Sequence, residues 1–230
     1  MSDSTTDSGP RWLPKGLRKH FGNFSYLLIM LLILLLAHPF IAGERQAEFF
    51  TAGFTLAFLA GLYAVRGERH TLKLGLILVI PAVGGSWASY FTGSAAVLTI
   101  GHLFEAGFLV FVTAVILRYI MTETEVTADT IYGAACAYIM IGLIFAIGYS
   151  WLEGLAPGSF QGTTATGGQR TWEFIYFSMV TMTTLGYGDI VPVHEGARSM
   201  ATLQAILGQF YVAVLVARAV TLMVPKSKTH

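Results

Sequence analysis

Residues 181–190 read T-M-T-T-L-G-Y-G-D-I, with three threonines, two glycines and a tyrosine set between two apolar stretches. Glycine reaches positive φ without a Cβ penalty, and Gly186 and Gly188 stand at alternate positions. An extended strand whose successive carbonyls all face one axis needs that alternation of backbone handedness. Thr184 would add a hydroxyl oxygen at the inner end, while Leu185 and Tyr187 would point away and wedge the strand in place. A row of oxygens so arranged suits a dehydrated hard cation. The segment reads as chosen for its backbone, and no catalytic side chains are expected in it.

The elements that must position this strand belong to a chain made for lipid. Of 230 residues 54% are hydrophobic and 12% charged, and the mean hydropathy of +0.64 belongs to a polytopic membrane protein. A net charge of +1 gives no reason to invoke nucleic acid. Cys136 is the single cysteine, which excludes an internal disulfide and argues against a cysteine-based metal site. It is most simply a packing residue.

Charge-free runs locate the spans, since about 20 helical residues cross a bilayer core. Phe21–Gly43 is the first, a retained span rather than a cleaved signal peptide. Phe49–Val65 is the second. Leu74–Phe104 is too long for one crossing, and Tyr90-Phe91-Thr92-Gly93-Ser94 divides spans three and four, with Pro81 an expected kink. Span five runs from Thr130 to Trp151. The Gly/Ser/Thr-rich stretch 153–170 reads as a flexible exposed loop. Span six lies between Arg198 and Arg218. With both termini cytoplasmic, only Arg45, Arg170 and Arg198 of the 14 basic residues lie outside, as the positive-inside rule demands. The expected fold is therefore all-α, with six transmembrane helices, N-in and C-in, in the cell membrane.

Between spans five and six, residues 171–183 are mostly apolar but give only about 20 Å of helix, too short to cross. Thr171 is the expected N-cap and Glu173 the first-turn acid. The short helix enters the membrane and must return. Non-helical backbone at that depth is tolerated only where it is buried in protein or lines a watery path, so 184–188 should line one. Trp172, Tyr176 and Phe177 on the helix are candidates for a surrounding cuff.

T-T-L-G-Y-G-D, preceded by an aromatic helix and flanked by two spans, resembles the signature of the tetrameric potassium channel superfamily. The resemblance implies a re-entrant pore helix, an extended filter and a four-fold symmetric homotetramer in the bilayer. It further implies potassium coordination by main-chain oxygens of Thr184, Leu185, Gly186, Tyr187 and Gly188 and by the Thr184 hydroxyl, with Asp189 at the outer mouth within reach of Tyr176. No cofactor is implied beyond potassium as permeant ion. Gly208 falls where the family often has a gating hinge, although close helix contact is the equal alternative. Val212 and Val216, on one face beyond it, would line a cavity or constriction.

Leu185 stands where valine is commoner, and Val180 where some bacterial relatives carry a glutamate. The last helix has no Pro-x-Pro bend, and no cytoplasmic ligand-binding domain is expected after Pro225. The close resemblance covers about 127–224 and the rest only in six-span architecture. The expected organisation is a cytoplasmic segment 1–20, a four-helix membrane domain 21–120 resembling a voltage sensor without its gating charges, a pore domain 127–224 and a tail 225–230.

Arg118 is the one basic residue of span four. One charge crossing the full field gains about 2.3 kcal/mol per 100 mV, so steep conventional voltage gating is not expected. Glu105, near the midplane, shares a helical face with His102. The pair is either a proton-sensitive switch or a hydrogen-bonded structural pair with Ser86, Ser89 or Tyr90. The other histidines, His20, His38, His70, His194 and His230, are scattered. His194, Glu195 and Arg198 would lie just outside the filter. An enzyme would need a nucleophile with its base, and a secondary transporter would normally show internal repeats. Neither pattern occurs. A non-conducting regulatory subunit and a weakly selective cation channel stand as the alternatives.

Overall fold

The computed structural model describes residues 23–37, 40–41, 46–64, 69–92, 95–164 and 168–223. Arg11, Lys15, Arg18, Lys19, Arg45, Arg66, Lys226 and Lys228 of the charge count lie outside these residues. So do His20, His38, His230 and the terminal segments 1–20 and 225–230.

Among the described residues, seven helices and two short strands follow in the order α1 (Asn23–Ala37), α2 (Gln46–Ala64), α3 (Arg69–Thr92), α4 (Ala95–Thr122), α5 (Ala128–Leu155), β1 (Phe160–Gln161), α6 (Gly168–Met182), β2 (Val191–Pro192) and α7 (Glu195–Met223). Among the described residues, α3, α4, α5 and α7 are long and apolar enough to cross a membrane, and α1 and α2 are shorter apolar helices. The break expected near residues 90–94 falls between α3 and α4. Pro81 lies inside α3, which runs on past it.

The second half is organised around α5, which packs on α1, α4, α6 and α7. Its start is fixed by a reciprocal cap: Thr130 N donates to Thr127 Oγ1 at 3.2 Å and Thr127 N to Thr130 Oγ1 at 3.4 Å. Asp129, in the first turn of α5, also accepts from Phe24 N at 3.0 Å. One carboxylate thus serves the positive ends of two helices. From that point α1 lays Phe24, Leu27, Leu31 and Leu34 into the core, and α4 contributes Phe108, Val112, Ile116 and Ile120. Each set recurs every three or four residues, the spacing of one helical face. Cys136 is buried, its Sγ 3.6 Å from the Phe24 carbonyl.

Three expectations need correction. Helix α6 begins at Gly168, so Thr171 lies within the helix rather than capping it. Glu173 is likewise past the first turn. Its Oε1 accepts from Thr164 N at 3.1 Å and Thr164 Oγ1 at 3.2 Å, tying the incoming chain to the helix. The stretch 153–170 is not a flexible loop throughout. Phe160 pairs with Pro192 and Gln161 with Val191 in a two-stranded antiparallel sheet that brackets α6. Phe160 is buried against Phe174 (ring centroids 4.9 Å) and Tyr149 (5.4 Å). One aromatic ring outweighs the disorder-prone composition around it, because its burial offsets the entropy of ordering its neighbours.

Candidate functional site

The site is built at the C-terminus of α6. Leu185 N donates to Val180 O at 3.0 Å and Thr184 N to Thr181 O at 3.1 Å. These two bonds form the Schellman closure, whose penultimate residue adopts left-handed backbone and is usually glycine. Here that residue is Thr184, at φ 57°. A β-branched residue in this region is strained, and such outliers persist where the surroundings impose them. Positive φ recurs at Gly186 (59°) and Gly188 (80°), while Leu185 and Tyr187 between them do not share it. The alternation expected of two glycines therefore extends over three residues and begins on a threonine.

The outer end is held by side chains. Tyr176 Oη donates to Asp189 Oδ2 at 2.7 Å, and Asp189 Oδ1 accepts from Ile190 N at 3.0 Å. The Tyr176 hydrogen bond, followed by backbone donors, holds the Asp189 carboxyl below its ordinary range. The Tyr187 ring stacks on Tyr176, 6.4 Å between centroids and 8° from parallel. Behind them, a Cβ on Gly162, whose φ is 92°, would lie 1.9 Å from the Asp189 carbonyl oxygen. The β1 loop therefore backs directly onto the end of the strand. Sequence reasoning missed Gly162, because a glycine in a Gly/Ser/Thr-rich stretch carries no mark of the neighbour it touches.

The expected cuff residues divide. Tyr176 meets the strand. Phe177 packs against Tyr149 at 5.1 Å and Phe160 at 5.4 Å. Trp172 meets Phe54 of α2 at 6.1 Å. Phe177 thus fixes α6 from behind, and Trp172 carries α6 to the first-half bundle.

A second set missed from sequence lies inside the bundle. Gln204 of α7 is fully buried. Its Oε1 accepts from Tyr149 Oη at 2.6 Å, and its Nε2 donates to Ser178 O at 3.1 Å and Ser178 Oγ at 2.6 Å. Ser178 Oγ in turn donates to Gly142 O at 2.6 Å. One polar chain joins α5, α6 and α7. A glutamine in an otherwise apolar span was the available signal.

Gly208 is a point of close approach: an added Cβ would lie 2.5 Å from Met182 O and 2.9 Å from Met182 Cγ. Helix α7 is continuous across it. Of the two readings of Gly208, this geometry is the one that helix contact requires. Val212 and Val216 beyond it remain 45% and 55% exposed on the single chain. His194 and Arg198 stabilise the start of α7, Nδ1 accepting from Gly196 N at 3.1 Å and Nε donating to Pro192 O at 3.2 Å.

Glu105 has a partner from α3. Ser86 Oγ donates to its carboxylate, and His102 Nε2 lies 3.9 Å from Oε2. Ser89 Oγ turns instead to Ser86 O at 2.9 Å, and the Tyr90 side chain lies outside the described residues. Beside this contact a Cβ on Gly85 would sit 2.7 Å from Gly101 Cα. The pair therefore occupies a tight crossing of α3 and α4, as the hydrogen-bonded structural alternative requires.

A family model described as an ion channel matches residues 137–224, from within α5 to just past α7. Two pore potassium channel b of Oryza sativa subsp. japonica is 33% identical over 92 residues, 40% of this chain and 24% of that protein. Inward rectifier potassium channel Kirbac3.1 of Paramagnetospirillum magnetotacticum is 31% identical over 81 residues, 34% of this chain and 24% of the relative. Two-pore potassium channel 1 of Arabidopsis thaliana is 41% identical over 54 residues, 24% and 15% respectively. The matches thus span about a quarter or less of each relative. No solved structure gives a significant match. A helical membrane protein with an ion-channel segment is the class that fold and site define, and that family points to transport rather than enzymatic chemistry. More particularly, residues 137–224 match the ion-channel model, and the relatives to which this chain is similar are potassium channels.

Proposed function

We propose that the chain is one subunit of a passive, potassium-selective channel of the cell membrane. Main-chain oxygens of Thr184, Leu185, Gly186, Tyr187 and Gly188, with the Thr184 hydroxyl, replace the hydration shell of the permeant ion. The observation that carries this reading is the alternation of backbone handedness from Thr184 to Gly188. Alternating left- and right-handed residues turn successive carbonyls to the same side. A β-branched residue tolerated at positive φ is intelligible if its hydroxyl is needed in that row.

One strand cannot encircle an ion, so sister chains complete the cage, four in a closed ring. Leu203, Phe210 and Val214 of α7 stay exposed on the isolated chain, as does Leu185 at 56%. Sister subunits and lipid supply the missing cover. Four α6 helices aim their C-termini inward, and at about −0.5 charge each they favour a cation in the cavity. Val212 and Val216 line that cavity below Gly208. The working topology has six spans, α1 to α5 and α7, with both termini cytoplasmic. The first four form a domain without the charges of a steep voltage sensor.

The test is reconstitution of the full chain in liposomes under a potassium gradient. Barium-blockable potassium flux that rejects sodium is expected. Vesicles that pass both ions equally, or neither, would overturn the reading.

A further inference from the structure

The Schellman closure of α6 leaves one carbonyl of its last residue, Met182, without a backbone donor, and two other helices converge on that atom. Tyr138 of α5 donates its hydroxyl to Met182 O at 3.0 Å. From the other side, the Gly208 backbone approaches so closely that a methyl group there would stand 2.5 Å from the same oxygen. Two glycines of α5 are different: a Cβ on Gly142 or Gly148 would meet first the terminal methyl of Met179 or Met200, flexible ends that can give way. At Gly208 the obstacle is backbone.

The donor is itself held in place. The Tyr138 ring lies against Tyr211 of α7, 5.6 Å between centroids, and Tyr211 Oη donates back to Ala134 O of α5 at 2.7 Å. Tyr138 and Ala134 are one helical turn apart, so the ring pair locks α5 to α7 where both reach Met182. Two residues after Met182 comes Thr184, the first left-handed residue of the strand.

We propose that Tyr138 is a positioning residue for ion selection. With the Gly208 backbone it clamps the Met182 carbonyl and fixes the height and rotation at which the strand leaves α6. This inference rests on the channel reading. Discrimination between ions of similar charge depends on the size and field of the oxygen cage. Removing the hydroxyl leaves a carbonyl that nothing else in the closure satisfies, and the strand gains freedom at its inner end.

The experiment is the reversal potential under bi-ionic potassium and sodium conditions, recorded from the reconstituted full chain. Y138F is expected to lower the potassium-to-sodium permeability ratio by about three- to tenfold, the scale of one lost hydrogen bond. G208A, pressing the same carbonyl from the opposite side, should lower it in the same direction, and serves if Y138F does not assemble. Y211F keeps its ring against Tyr138 and removes a hydroxyl that supports the ring pair without touching Met182, so its loss of selectivity should be clearly smaller than that of Y138F. The ratio is independent of how much protein inserts, which separates positioning from mere stability. A wild-type ratio in Y138F, or equal losses in Y138F and Y211F, overturns the proposal alone. Wild-type protein without potassium selectivity overturns the channel reading and this proposal with it.

Discussion

Thr184 accepts a strained backbone that glycine would adopt freely, and Asp189 accepts a hydrogen bond that fixes the far end of the same five residues. Between them, Tyr187 stacks on the tyrosine that supplies that bond. The Asp189 carboxyl is held below its ordinary range, first by Tyr176. The sign follows: a group whose folded value is depressed contributes while pH stays above the unfolded carboxylate value of about 3.9. That contribution disappears as pH falls through the lower folded value. Y176F should therefore move Asp189 titration upward, and current should fall at a higher external pH in the variant than in wild type. Matching pH midpoints would exclude Tyr176 as the cause. The two glycines were legible from their spacing, and the reach from Tyr176 to Asp189 from the family resemblance that the strand carries. The φ of Thr184 was not, because local propensity argues against a β-branched residue there and only the closure of α6 imposes it.

Helices α5, α6 and α7 are joined by polar groups inside an otherwise apolar bundle. Gln204 is the junction, and replacing it with leucine strands the Tyr149 hydroxyl and removes two donors from Ser178. A stranded buried polar group costs about 1–3 kcal/mol. Q204L should lower the thermal midpoint of the detergent-solubilised protein clearly. T202A, two residues away on an exposed face, should stay within about 0.5 kcal/mol of wild type. Equal midpoints in the two variants would deny the network a structural role. The existence of each helix was readable from charge-free runs, but the start of α6 three residues early was not. Nor was the β1–β2 pairing, whose two-residue strands are too short to show a period.

At the scale of the whole molecule the first-half helices and the segment that matches the ion-channel family are tied within one chain. Asp129 meets the start of α1, and Phe54 meets Trp172. The third tie is at the opposite end of α7. Arg218 Nε donates to Ile120 O at 3.0 Å, and its Nη2 donates to Met121 O at 2.8 Å and Glu123 O at 2.6 Å. From sequence Arg218 counted only as one more inside charge, because nothing local announces which carbonyls a distant side chain will find. In the fold it caps the last turn of α4, where orphan carbonyls and the negative end of the dipole favour a cation. A tilt of α4 would thereby act on the C-terminal end of α7, past Val216. Charge-assisted bonds contribute about 1.5–3 kcal/mol each, so R218Q should raise amide exchange across 120–127 by about tenfold or more. R218K keeps the charge but loses the planar fork, and its exchange should fall between the two. Exchange in R218Q that matched wild type would mean that α4 ends independently of α7, and that the two halves move without reference to each other at this point.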